Sequence, residues 1–314
     1  MSRSLVRRLK EGDSVRVNGL PAPVTGRVRA GDRVALYVPP QLMSVVEPEP
    51  LPLAILFEDR HVLVLDKPAG VLVHPACIEL GGTLANGVAH HLIANGELSS
   101  AGPVTRLDRG TSGLVLFAKH PHAHHRLTEA IERGEVRRLY AGICRGCPPD
   151  DDFAVDLPIA RAPGSISRRE VNRTGGQRAV TRVRVVRRFP PRARAGPVPP
   201  PAAATASFAT AAPTSTRHAS SPGECGSTLP ELPEGASLLE LSLETGRTHQ
   251  IRVHLAHIGH PLLGDPLYGA PIPGWIERQA LHARRLRFPH PIEGVVLEFE
   301  SPLPSDMECL LRAL

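Results

Sequence analysis

Aromatic residues make up only 4% of this 314-residue chain. That is too few for a sheet that binds RNA by stacking bases on several exposed rings. Lysine is scarcer still: Lys10, Lys67 and Lys119 are the only three among 37 basic residues, so arginine carries the positive charge. Guanidinium groups pair bidentately with phosphate. With a formal charge of +6 and a pI near 9.4, this bias points to a polyanionic partner such as nucleic acid. The five cysteines (Cys77, Cys144, Cys147, Cys225, Cys309) are odd in number and irregularly spaced, which argues against a disulfide framework. No apolar run approaches the length of a membrane span, and the opening MSRSLVRRLKEGD lacks the apolar core of a signal peptide. A soluble, cytoplasmic protein without membrane contact is therefore expected. No glycine-rich nucleotide-binding loop is present.

The length suggests two domains. Residues 1–40 read as a small basic unit. A helix carrying Leu5, Val6 and Leu9 precedes short strands at 15–17 and 34–38, with the tight-turn pair Asn18-Gly19 after the first. Eight basic residues stand there against three acidic ones, which fits either RNA contact or a solvated hairpin. Residues 41–52 are rich in proline and glutamate and read as a linker, with the main domain at 53–314. Within it, residues 190–235 hold ten prolines and ten alanines. Such a segment cannot bury enough apolar surface to order itself. Alternating strands flank it, so it reads as an overgrown, disordered hairpin loop rather than a domain boundary.

Elsewhere helical and strand periods alternate. Apolar runs at 62–65 and 71–73 flank Lys67-Pro68-Ala69-Gly70 and read as a hairpin. Leu84, Val88 and Leu92 mark a helix over 83–93, and Leu127 and Ile131 one over 120–133. Strands are expected at 114–118, 136–143, 179–189 and 238–243. They are followed by a helix with Ile251, Leu255 and Ile258 on one face.

Asp108 is the first chemical candidate. It lies on the loop entering the strand at 114–118, between Arg106 and Arg109. Neighbouring positive charge favours the ionised carboxylate, which suits a nucleophile or base better than an acid. A structural ion pair would explain the same residues. His120, His122, His124 and His125 invite a metal reading, but the sequence places no carboxylate or thiol partners beside them, so no metal is expected. Cys144 and Cys147 form a lone Cys-x-x-Cys without a second pair. His249, Arg252 and His254 lie off the apolar face of their helix and could meet phosphate or core partners.

The stretch Thr105 to Lys119, TRLDRGTSGLVLFAK, resembles the catalytic motif of the RluA-type pseudouridine synthases. ILFEDRHVLVLDKPAGVLVHP at 55–75 resembles the first motif of that family, and the segment around Tyr140 its tyrosine motif. ETGRTHQIRVHLAHIGHPLLGDPLYG and the later LHA and HP resemble the final motifs in order and separation. Residues 7–40 resemble the later part of the small RNA-binding module named after a small-subunit ribosomal protein, without its first helix.

The resemblance implies an α+β fold: a mixed, mostly antiparallel sheet with flanking helices and a central basic cleft, plus the small N-terminal α/β module. It implies isomerisation of uridine to pseudouridine in RNA, needing no cofactor, by a monomer. Ribosomal RNA of the large subunit is favoured over tRNA by the basic N-terminal unit, and a non-catalytic RNA-binding or ribosome-assembly protein is the different-class alternative. Carried onto this sequence, Asp108 is the catalytic carboxylate, Tyr140 packs on the flipped base, and Arg247 holds Asp108, with Arg252 as fallback. Arg106 fills the gap left by the extruded uridine. Lys67, Thr111, His249 and Arg252 are the further substrate-binding candidates. The family usually has histidine where Thr105 stands here.

Overall fold

The structure, a computed structural model, describes residues 15–23, 25–36, 46–76, 79–97, 101–191, 232–269 and 272–314. Among them the largest element is a ten-stranded sheet. It contains β4 (Ile55–Glu58), β5 (Val62–Lys67), β6 (Gly102–Pro103), β7 (Ser112–Ala118), β8 (Arg137–Arg145), β9 (Asp152–Asp156), β12 (Val180–Phe189), β13 (Ala236–Leu243), β14 (Leu281–Pro289) and β15 (Val296–Glu300). The strand order is β4-β5-β7-β14-β8-β13-β12-β9, with β6 added to β7 and β15 to β14. Every pairing is antiparallel apart from β7 with β14. The mixed, mostly antiparallel α+β architecture expected from the sequence is the one observed.

β5 and β7 are continuous apolar runs because both their faces are covered. On one side Leu63, Leu65, Val115 and Phe117 pack with Leu84, Val88 and Leu92 of α1 (Leu84–Ala94). On the other, Val62, Val64, Leu114 and Leu116 meet Ala123, Leu127 and Ala130 of α2 (Pro121–Glu132). Each such fully buried leucine, valine or phenylalanine contributes about 1.5–3 kcal/mol. Ile251 and Leu255 of α3 (Gln250–His257) cover Tyr140, Val183 and Leu241. Met307 and Leu310 of α4 (Ser305–Ala313) pack with Ile143 and Phe189.

One expected hairpin is absent. β5 pairs with β4 and β7, and residues 71–73 form no strand. Instead the carbonyls of Leu72 and Val73 accept the N–H groups of Leu84 and Ala85, at 2.9 and 3.0 Å. Those donors open α1 and have no partner within the helix, so the chain is drawn to them rather than back along β5.

The N-terminal unit is a three-stranded sheet, β2 (Leu20–Pro21), β1 (Val15–Val17) and β3 (Val34–Leu36), in the order β2-β1-β3. Asn18 and Gly19 take left-handed φ of 52° and 84° at its first turn, as Asn-Gly turns require. The expected helix before it lies outside the described residues, as do residues 41–45 of the linker. The later linker runs along α1: Asn86 Nδ2 donates to the Glu47 carbonyl at 2.8 Å, and Leu53 joins the α1 core. Most of the Pro/Ala-rich insertion, residues 192–231, is likewise outside the described residues. The strands on either side of it are hydrogen-bonded neighbours, with Phe189 opposite Ala236.

Candidate active site

Gly113 fixes where the site begins. Its φ is +109°, and a Cβ there would stand 2.3 Å from the Ala283 carbonyl oxygen of β14. Only glycine allows β7 to pass so close to its parallel neighbour. The preceding loop is folded against that strand: Thr105 Oγ1 accepts the Leu116 N–H at 3.0 Å, and Asp108 O accepts the Thr111 N–H at 3.0 Å. Thr105, where the resembled family usually has histidine, is thus buried in a backbone contact.

The Lys-Pro turn clamps the same loop from below. Lys67 Nζ donates to the carbonyls of Pro68, Val71 and Arg109 at 2.8, 2.7 and 3.0 Å, and the Gly70 N–H adds a bond to Arg109 O at 2.9 Å. Lys67 is only 1% exposed. This corrects its expected role in substrate binding: two donors are spent on its own turn and the third on the loop that carries Asp108. Burial pushes its ammonium down to about 7, with Arg278 and Arg109 adding to the shift and Asp108 opposing it. Thr111 is corrected in the same way. It is buried, and its hydroxyl accepts Gln279 Nε2 at 3.0 Å.

Asp108 itself stays reachable, its side chain 24% exposed. Its guanidinium partner is Arg252 of α3, whose NH1 donates to Asp108 Oδ2 at 3.0 Å. Arg247 does not take that place. It lies before the helix, exposed, and its Nε donates to the Arg178 carbonyl at 3.1 Å. α3 starts at Gln250, so residue 252 is carried inward by the first turn while residue 247 is left on the approach. Arg106 is exposed beside the site, whereas Arg109 pairs with Glu79.

Asp265 holds Arg252 from the far side through two bonds, Nε to Oδ2 at 2.8 Å and NH2 to Oδ1 at 2.9 Å. Burial alone would raise the Asp265 carboxyl. Arg252 and the N–H groups of Leu267 and Tyr268 outweigh it and hold it below the usual range. Burial opposes the Arg252 charge, and the two carboxylates more than restore it.

His249 caps α3 with a left-handed φ of 58°, unusual for a side-chain-bearing residue. The Arg169 backbone N–H donates to Tyr268 Oη at 2.7 Å, and Tyr268 Oη lies 3.0 Å from His249 Nδ1, an arrangement that favours the tautomer with its proton on Nε2, 3.9 Å from Asp108 Oδ2. Burial lowers the His249 pKa, and the Arg252 and Arg169 charges add to that, against Asp108 and Asp265. The guanidinium of Arg252 also lies 5.1 Å from the Tyr268 ring centroid. Tyr140, on β8, is buried, and its phenol is pushed up by burial; Arg138 opposes and Asp108 adds to the shift. Leu107 packs on the same cluster as Tyr140, so Asp108 and Tyr140 belong to one region.

Asp108, Arg252, His249 and Tyr140 are thereby brought together. Asp265 and Tyr268 escaped the residue-by-residue reading. Their signal was Asp265-Pro266, a turn-initiating pair whose carboxylate accepts the N–H groups of Leu267 and Tyr268 at 2.9 and 3.1 Å. The lone Cys-x-x-Cys sits apart: Cys144 is buried, its thiol pushed up to about 12 by burial, and Cys147 Sγ donates to the Phe189 and Ala236 carbonyls. Among the described residues no three His, Cys, Asp or Glu side chains converge to hold a metal ion, and no helix is long and apolar enough to cross a membrane.

A family model described as RNA pseudouridylate synthase matches residues 61–257. The chain is 39% identical over 285 residues to a Bacillus subtilis (strain 168) protein named uncharacterized RNA pseudouridine synthase YhcT, covering 91% of this chain and 80% of that one. It is 35% identical over 318 residues to ribosomal large subunit pseudouridine synthase D of Neisseria meningitidis serogroup A, covering 98% and 73% of the two chains. A solved structure, human RNA pseudouridylate synthase domain containing 1, superposes with a TM-score of 0.56 at 21% identity, covering 82% of this chain and 87% of that one. That likeness carries the fold.

Proposed function

The chain belongs to the RNA pseudouridylate synthase family and is an RNA pseudouridine synthase, an isomerase; from that premise we propose that it acts on uridine in large-subunit ribosomal RNA, with Asp108 as its catalytic carboxylate. The reaction breaks the C1′–N1 bond, turns the base, joins C1′ to C5, and moves one proton from C5 to the ring nitrogens, so no outside group is consumed. The observation that supports this reading best is a single partly exposed carboxylate whose Oδ2 is held at 3.0 Å by an arginine that is itself anchored on a buried carboxylate. Such a group is aimed without being sealed off. It can attack C1′ or take a ribose proton.

Arg252 orients Asp108, and His249 Nε2–H offers a fixed donor to the substrate beside it. Tyr140 flanks the base and can help remove the C5 proton. Arg106, exposed at the rim, occupies the place vacated in the RNA helix when the uridine is flipped. The names of the relatives and the basic N-terminal unit favour the ribosomal RNA substrate. Residues 1–40 are read as a separate RNA-binding unit and 53–314 as the catalytic domain.

The first test is Asp108→Asn. It should abolish pseudouridine formation while RNA affinity is retained, because only one charge in an extended basic surface changes. Retained turnover would end the assignment of Asp108. Mapping pseudouridines in RNA from a strain lacking this protein, with and without complementation, names the substrate. Sites lost from tRNA instead of ribosomal RNA would overturn the substrate, and no lost site would favour a binding-only role.

A further inference from the structure

A groove of about 760 Å³ opens between the end of α2, the first residues of β8, and the strands β12, β13 and β14. Asp108 does not line it. Seven arginines line it against three glutamates. Part of that charge is spent: Arg182 NH2 lies 2.6 Å and Arg178 NH2 3.8 Å from Glu244, and Arg285 Nε 3.5 Å from Glu298. Arg137, Arg138 and Arg287 make no ion pair with any described residue.

Two features set these three apart. Arg137 and Arg287 are direct cross-strand partners on β8 and β14, and both are exposed; Glu298, opposite Arg287 on β15, pairs instead with Arg285. Like charges placed opposite each other destabilise a sheet unless something negative lies over them. Arg138, one residue on, has a buried Nε with no hydrogen-bond partner. An unmet buried donor on a charged group costs more than the neutral-group figure of about 1–3 kcal/mol.

Of the groove's arginines, Arg138 reaches towards the site, from the face of β8 opposite to Arg137. Arg138 NH1 lies 3.2 Å from where a Cβ on Gly246 would stand, so its guanidinium sits beneath the Thr245-Gly246-Arg247 turn. That turn leads directly into His249 and α3, which carries Arg252 to Asp108. Arg138 shares the Tyr140 face of β8, two residues away, and acts electrostatically on Tyr140.

We propose that this groove binds the sugar-phosphate backbone of the RNA strand flanking the target uridine, with Arg137 and Arg287 each on a phosphate and Arg138 at the junction with the active site. The proposal rests on the RNA-isomerase reading above. The groove is a docking track, not part of the reacting centre, so its loss should change affinity and not the chemical step.

The test uses the full chain with Arg137→Gln and Arg287→Gln combined, and the charge-reversing Arg137→Glu and Arg287→Glu pair as a second variant. Both positions are exposed on formed strands, so the glutamine pair should melt no lower than wild type. Binding of a fluorescein-labelled single-stranded RNA of mixed sequence is titrated over a range of salt. Each lost phosphate contact should lower the slope of log affinity against log salt by about 0.7, so the glutamine pair should lose about 1.4. Pseudouridine formed at saturating cellular RNA from the deletion strain should be unchanged. An unaltered salt slope in both variants, or an unaltered slope together with weakened binding to poly-glutamate, overturns the groove assignment while wild-type activity leaves the isomerase reading intact. Absence of pseudouridine with the wild type overturns the isomerase reading, whatever the slope does.

Discussion

The division of labour between Arg252 and Arg247 shows how strictly position decides role at the scale of single residues. Both are arginines within one short segment, yet only Arg252 is 7% exposed with two carboxylates on its guanidinium. Arg252→Gln leaves Asp265 buried without its cation, which should destabilise the fold by roughly 3–5 kcal/mol. Turnover should fall with it. Arg247→Ala should leave the melting temperature and turnover near wild type. Urea titration and single-turnover assays on both variants check this, and a severe effect of Arg247→Ala with a mild one for Arg252→Gln would reverse the assignment.

Tyr268 offers a second residue-scale check. Its hydroxyl lies 3.0 Å from His249 Nδ1, where donation favours the neutral ring that burial also favours, with Asp108, Arg252, Asp265 and Arg169 as the charged groups acting on it. In Tyr268→Phe the donor is gone, Nδ1 is free to take a proton, and the pKa of His249 should rise. The acid limb of the pH dependence of turnover should then move to higher pH, with affinity for RNA little changed. An acid limb that stays in place would show that His249 has no part in the reaction.

At the scale of elements, the hairpin β12–β13 explains how a long insertion is tolerated. Phe189 and Ala236 are already paired at its mouth, and Gly235 N–H closes a turn on Leu232 O at 2.9 Å. Leu232 packs on the core beneath α4. The hairpin therefore brings its own ends together whatever lies between them. Replacing residues 192–231 by a short glycine-serine turn should leave turnover unchanged and raise stability by about 2 kcal/mol at most, since loop-closure entropy grows only slowly with length. Thermal melting and a turnover assay decide it; a large loss of either would mean that the Pro/Ala-rich segment packs on the domain. The Lys67 clamp belongs to this scale too. It ties the turn after β5 to the loop before β7, two neighbouring strands whose connection alone would leave Asp108 unsupported.

Across the whole molecule, acid sensitivity follows from several buried rings. Burial lowers the pKa of His120, His249, His254 and His282 from their ordinary value of 6.5. Well above that value each is neutral in both folded and unfolded chains, and contributes nothing to the pH dependence. As pH falls through 6.5 the unfolded chain takes up protons that the buried rings resist, so stability declines. At lower pH the carboxylates of Asp59 and Asp265, both held below their usual range, add to the loss. Lys67, pushed down to about 7, already makes stability decline as pH falls towards neutral, and urea midpoints should fall further below 6.5 as the buried rings resist protonation. A midpoint that rose on acidification would contradict the neutral assignment of these histidines.

Much of this protein could be read directly from the chain. Continuous apolar runs such as 62–65 and 114–118 announced strands covered on both faces, because period and burial are local properties of sequence. Leu84, Val88 and Leu92 marked α1 for the same reason. Asp108 was identifiable from its immediate neighbours and from the motif around it. Contacts between distant segments were not legible. Nothing local says that Lys67 spends a donor on the Arg109 carbonyl 42 positions away, or that the Thr111 hydroxyl is taken by Gln279. Nor does it say that Arg252 supplies the cation 144 residues after Asp108. Sequence marked most of the elements and pointed to Asp108 as the candidate carboxylate, since propensity and hydrophobic period act over a few residues. Tertiary structure alone decided which arginine faces that carboxylate and which candidates are buried beneath it, because those are distances set by how strands from opposite ends of the chain meet in one sheet.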